Sequence, residues 1–136
     1  MAELGLASGP ACGAALFVAL AGGRIPRTRP AGRPRVLLLR WLWLGAAAAF
    51  EEVVWRGLIL AGLALALGTA AALIVSSAGF AAWHAPALGR RSAVHAVTGL
   101  GFGTVSLVGG LGAAMLAHGT YNVLVDWGVH AGRSPA

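Results

Sequence analysis

Little in this sequence is charged. Only 10% of its 136 residues are Asp, Glu, Lys or Arg, and lysine is absent altogether. A water-soluble domain of this length needs a polar surface, and there is too little here to build one. With 58% hydrophobic residues and a mean hydropathy of +0.79, the expected solvent is a bilayer. The single cysteine, Cys12, excludes an internal disulfide and a cysteine zinc cluster, and reads as a small apolar residue. No basic residue precedes Arg24, so the N-terminus does not read as a secretory signal peptide. There is no internal repeat, polar low-complexity tract or soluble domain.

What charge there is has one dominant sign. Ten arginines give a net charge of +6, and all-Arg usage with abundant Ala and Gly points to a GC-rich coding source. The arginines form short clusters between apolar runs, with no basic face and no aromatic-interleaved stripe. Membrane topology therefore explains them better than nucleic acid, and no nucleic-acid partner is expected.

Punctuation divides the chain. Residues 5–22 are apolar, rich in small residues and interrupted by Pro10: a weak spanning candidate, or a packed or re-entrant piece. Residues 23–35, GRIPRTRPAGRPR, hold five Arg and three Pro and read as a basic linker. Residues 36–130 are almost continuously apolar, with breaks at Gly68-Thr69, at Pro86 to Ser92 and at Gly109-Gly110. Four helices are predicted, near 38–67, 70–87, 93–108 and 111–130. The fold class is all-α: a polytopic membrane bundle of about four core spans plus the weak N-terminal segment. Residues 1–35 form the N-terminal segment and linker, 36–130 the core and 131–136 a short tail. Arg90 and Arg91 in the second break, the linker and Arg133 fall on one side of such a bundle, and the uncharged breaks on the other. The positive-inside rule assigns the basic side to the cytoplasm of a bacterial-type cell membrane. Trp41, Trp43 and Trp127 lie near the helix ends on that side, where indole suits the headgroup region.

Inside the first helix stands FEEVVWRG, residues 50–57. Unpaired charges at mid-membrane cost roughly 2.5–3.5 kcal/mol each on the translocon scale, so three cost roughly 8–10. Glu52 and Arg56 are four apart, with the acid on the N-terminal side, and can neutralise each other. Glu51 points about 100° away around the helix and lacks a local partner. A scaffolding ion pair accounts for Glu52 and Arg56 but not for Glu51, which reads as functional. His84 lies four residues after Phe80, and Asn122 four after His118, so each pair shares a helix face. His95 and His130 lie near helix ends and read as interfacial; Asp126 reads as a helix-end polar group.

EEVVWR fits E-E-x-x-x-R, FAAWH fits F-x-x-x-H, and HGTYN fits H-x-x-x-N. Each motif alone is weak. In this order, on successive apolar helices, the set resembles the CPBP intramembrane proteases, which comprise type II CAAX prenyl endopeptidases and bacteriocin-processing enzymes, also called the Abi family. The resemblance covers about residues 41–126, with Trp55 where the family often has Phe or Tyr. It implies an endopeptidase acting on a lipidated or membrane-embedded peptide, for which a bacteriocin leader is the natural bacterial candidate. It makes Glu51 the general base, with His84 holding the same water. His118 and Asn122 become oxyanion donors, Glu52 and Arg56 orient Glu51, and Phe80 packs beside the site. Glu51, His84 and His118 also form a three-ligand set of the kind catalytic zinc takes. The cofactor is thus none or a divalent metal, zinc first, with a metal-free mechanism preferred because one glutamate serves poorly as both ligand and base. Partners are membrane lipid and the peptide; the sequence gives no oligomeric state.

Two other classes stay open at this stage. One is a non-catalytic member of the family acting in bacteriocin self-immunity or as a scaffold, which would not need Glu51 and both histidines. The other is a proton or ion carrier, which needs a polar path to both faces that the uncharged breaks do not offer.

Overall fold

A computed structural model describes residues 2–20 and 32–131 of the chain. Most of the Arg/Pro linker and nearly all of the short tail, Arg133 included, lie outside the described residues. Every described element is helical: α1 (Ala2–Leu20), α2 (Pro34–Glu52), a π-helical stretch (Val53–Leu60), α3 (Ala61–Leu67), α4 (Thr69–Leu88), a 3-10 turn (Gly89–Ser92), α5 (Ala93–Gly109) and α6 (Leu111–Ala131). The first core helix begins at Pro34, earlier than the sequence suggests. Proline is tolerated at the first helical position, where its missing N–H has no partner to lose, and its fixed φ suits the helix. The helical reversals fall at glycines with positive φ, Gly68 at 78° and Gly110 at 83°, a conformation that costs other residues energy.

Close contacts give the packing directions. Gly99 lies against Ser77 and Gly103 against Leu73, so α4 and α5 run antiparallel. Gly9 lies against Ala113 and Gly13 against Ala117, so α1 runs parallel to α6. At Gly13 a Cβ would stand 2.1 Å from the Ala117 carbonyl oxygen, so only glycine permits this approach. α2 pairs antiparallel with α6, through Arg40 to His130 at one level and Glu52 to His118 deeper in.

The core is small and polar while the exterior is large and apolar. Ala48, Ala72, Ala113, Ala114 and Ala117 are buried, together with Glu52, Arg56, Ser76, Ser77, Thr98 and His118. Leu39, Trp43, Phe50, Leu58, Leu65, Ile74, Trp83 and Val108 face outward. Water would oppose such an exterior; lipid does not. Among the described residues, one helical stretch, Thr69–Gly109, is long and apolar enough to cross a membrane, so length and composition do not mark all four expected spans. That stretch holds 41 residues, about 60 Å if straight, but it reverses at the Gly89–Ser92 turn into the α4–α5 hairpin.

Candidate active site

The site is built where α2 gives way to the π-helical stretch. Glu51 and Glu52 end the α-helical segment, and Arg56 lies in the π segment that follows. π-helical turns are rare and cluster at functional sites. Nothing in the sequence marks this one. The two acids have opposite environments: the Glu52 side chain is fully buried, whereas 31% of the Glu51 side chain remains accessible.

A continuous polar chain runs from Arg56 to Glu51. Arg56 Nη2 donates to the Gly99 carbonyl at 3.1 Å. Arg56 Nε lies 3.2 Å from Glu52 Oε2 but outside hydrogen-bond geometry, so that pairing is electrostatic. Arg56 Nη1 is buried without a hydrogen bond; the guanidinium lies over the Phe80 ring, 4.8 Å from its centroid. Glu52 Oε1 accepts from His118 Nδ1 at 2.8 Å. The far nitrogen of that ring, Nε2, lies 3.8 Å from Glu51 Oε2, and His84 Nε2 lies 4.0 Å from the same oxygen. His84 Nδ1 donates to the Phe80 carbonyl at 2.8 Å.

The tautomers follow from the partners. A carbonyl and an ionised carboxylate only accept, so Nδ1 carries the proton in both rings. In the neutral rings each Nε2 then presents a lone pair toward Glu51 Oε2, itself an acceptor. With His118 neutral, three acceptors converge on one space and need a donor between them; with His118 protonated, its Nε2–H points at Glu51 Oε2, and a donor is needed only between His84 and Glu51. A water molecule 2.7–3.0 Å from its partners bridges gaps of this width. Tetrahedral zinc with bonds of about 2.0–2.1 Å holds its donors about 3.4 Å apart, closer than these atoms stand. Among the described residues no three His, Cys, Asp or Glu side chains are disposed to hold a metal ion. The residues as placed do not fit one.

The structure brings Glu51, Glu52, Arg56, Phe80, His84 and His118 together, with Phe80 buried and edge-on to His84. Asn122, one turn beyond His118 on α6, lines a cavity of about 320 Å³ together with Arg40, Asp126 and His130. His130 and Asp126 lie toward the end of α6, as read from the sequence. There they pair with α2: Arg40 Nη1 donates to His130 Nε2 at 3.2 Å, and Trp41 Nε1 to Asp126 Oδ2 at 3.3 Å.

His95 corrects the sequence reading. It is no free interfacial group: its ring stacks on His84 with centroids 4.1 Å apart. Phe102 stacks on His118 in the same way, at 4.5 Å. Their spacing on α5, with Gly99 between them, was the available signal: positions i, i+4 and i+7 share a helix face.

A family model described as type II CAAX prenyl endopeptidase Rce1-like matches residues 33–124, which include every motif residue named above. No curated protein and no solved structure matches the chain.

Proposed function

The chain belongs to the Rce1-like type II CAAX prenyl endopeptidase family, whose members are membrane-embedded proteases, and we propose that it hydrolyses a peptide bond in a membrane-associated or lipidated peptide. The observation that carries this reading is the convergence of Glu51 Oε2 with the Nε2 atoms of His84 and His118. Glu51 takes a proton from the attacking water. His84 accepts the water's second hydrogen bond and fixes its direction. His118, backed by Glu52, donates Nε2–H to the oxyanion. This step uses the imidazolium form of His118, whose charge Glu52 balances. The leaving amine takes the proton held by Glu51. Asn122, one turn beyond His118 on the same helix face, is the second candidate donor to the oxyanion.

Two further features support this substrate class. An open apolar groove of about 800 Å³ lies between α2 and α6, bounded by Trp41, Leu42, Met115 and Trp127, and its wall reaches Ala49, two residues before Glu51. Its size and lining suit the hydrocarbon chain of a lipidated peptide. Arg33 and Arg35 at the start of α2, and Arg90 and Arg91 at the α4–α5 turn, are exposed at one end of the antiparallel core. A polytopic arrangement with that end in the cytoplasm accommodates both the charge and the apolar exterior.

The test is cleavage of a quenched, lipidated peptide library by the purified chain in lipid nanodiscs, with and without a zinc chelator. Turnover that stays within about twofold under chelation is expected, because the donor spacing suits water. Loss of turnover on chelation, restored by zinc, would overturn the metal-free mechanism and keep the peptidase.

A further inference from the structure

Helix α5 carries none of the motif residues, yet it touches four of the site's side chains, His84, Phe80, His118 and Arg56. His95 stacks on His84 with an interplanar angle of 17°, and Phe102 stacks on His118 at 18°. Between them the Gly99 carbonyl accepts from Arg56. His95 and Phe102 are seven residues apart, two turns on one face, about 10 Å along the axis.

Each site imidazole is held in its plane by one hydrogen bond, to the Phe80 carbonyl for His84 and to Glu52 for His118. One in-plane bond does not fix a ring, because the outer torsion of histidine is broad and two-fold. A second ring laid flat against the first removes that freedom, and the two constraints together aim Nε2 at Glu51. His95 meets His84 face to face, the two ring planes 17° apart. Phe102 is fully buried and packs edge-on against Tyr121, which anchors it in turn.

We propose that α5 is the positioning element of the site, and that His95 and Phe102 are positioning residues that set the planes of the His84 and His118 rings by stacking. The claim rests on the protease reading for its consequence and on geometry for its content. Misplacement of a reacting group by about 1 Å costs on the order of 10²-fold in rate, so loss of the stack acts on turnover and not on binding.

The experiment compares His95→Leu, which removes the ring, with His95→Phe, which keeps a ring and removes both nitrogens. kcat and KM are measured on a lipidated peptide, and the histidine ring signals by NMR of the isotope-labelled chain in micelles. His95→Leu is expected to lower kcat at least about tenfold with KM within about twofold, and His95→Phe to stay within about threefold of wild type. In wild type and His95→Phe, His84 shows a single tautomer protonated at Nδ1 and an upfield ring-proton shift. In His95→Leu both features are lost. Should the leucine variant not fold, His95→Gln removes the ring in its place. An unchanged kcat in the ringless variant would overturn the proposal. So would a loss in His95→Phe equal to that in His95→Leu, since the role would then belong to an imidazole nitrogen. A wild type that cleaves nothing would remove the protease reading. The spectra still judge the stack by themselves, and an unchanged His84 signal in the ringless variant overturns it.

Discussion

Glu51→Gln is expected to lower kcat by about 10²–10⁴-fold, the range that a positioned general base contributes. Glutamine keeps the length and volume of the side chain and one acceptor oxygen, so the water is still bound but no longer loses its proton to a carboxylate. The fold has little reason to change. Glu51 keeps 31% of its side chain accessible, and its contacts with His84 and His118, at 4.0 and 3.8 Å, are longer than hydrogen bonds. Steady-state kinetics alongside a thermal melt in the same lipid checks both halves. A melt that holds while turnover disappears is the expected pair. Turnover within a few-fold of wild type would remove Glu51 from the chemistry.

Arg56→Ala is expected to act on stability first, by about 3–5 kcal/mol, the cost of breaking a buried ion pair from one side. The argument is local. Glu52 is fully buried, and Arg56 is its only cationic neighbour other than His118 among the described residues. Removing the guanidinium also removes the side-chain hydrogen bond to the Gly99 carbonyl and opens a void beside Phe80. Replacing both partners together, as in Glu52→Gln with Arg56→Met, is expected to cost less than Arg56→Ala alone, because no carboxylate is then left stranded. Denaturant titration in detergent measures the order. A single variant as stable as wild type would show that Arg56 neither neutralises Glu52 nor ties the π-helical stretch to α5.

How much of this could be read in advance depended on contrast. Glu51, Glu52, Arg56, His84 and His118 stood out because ionisable groups are expensive in an apolar run, and their order on successive helices made the motif set specific. Helix ends were legible where glycine and arginine interrupted the pattern, and Gly68 and Gly110 do turn the chain. Pro34 misled by one turn, because proline argues against a helix interior yet is favoured at the first helical position. The π-helical stretch left no trace in composition or spacing. Asn122 sits in a motif with His118 and lines a cavity with Arg40, Asp126 and His130. The role of α5 was hidden for the opposite reason to Glu51. Its glycine and phenylalanine do not stand out in an apolar run, its histidine reads as a helix-end group, and only the packed structure shows what they lie against.

The most direct test of the central claim, that Glu51 activates a water rather than attacking the peptide itself, is a single turnover in ¹⁸O-labelled water. Both the released peptide and the protein are then analysed by mass spectrometry. One ¹⁸O in the new carboxylate of the product and none in the Glu51 side chain is the expected result. Label in the Glu51 carboxylate would mean that an acyl-enzyme had formed there and been hydrolysed, and would contradict the account.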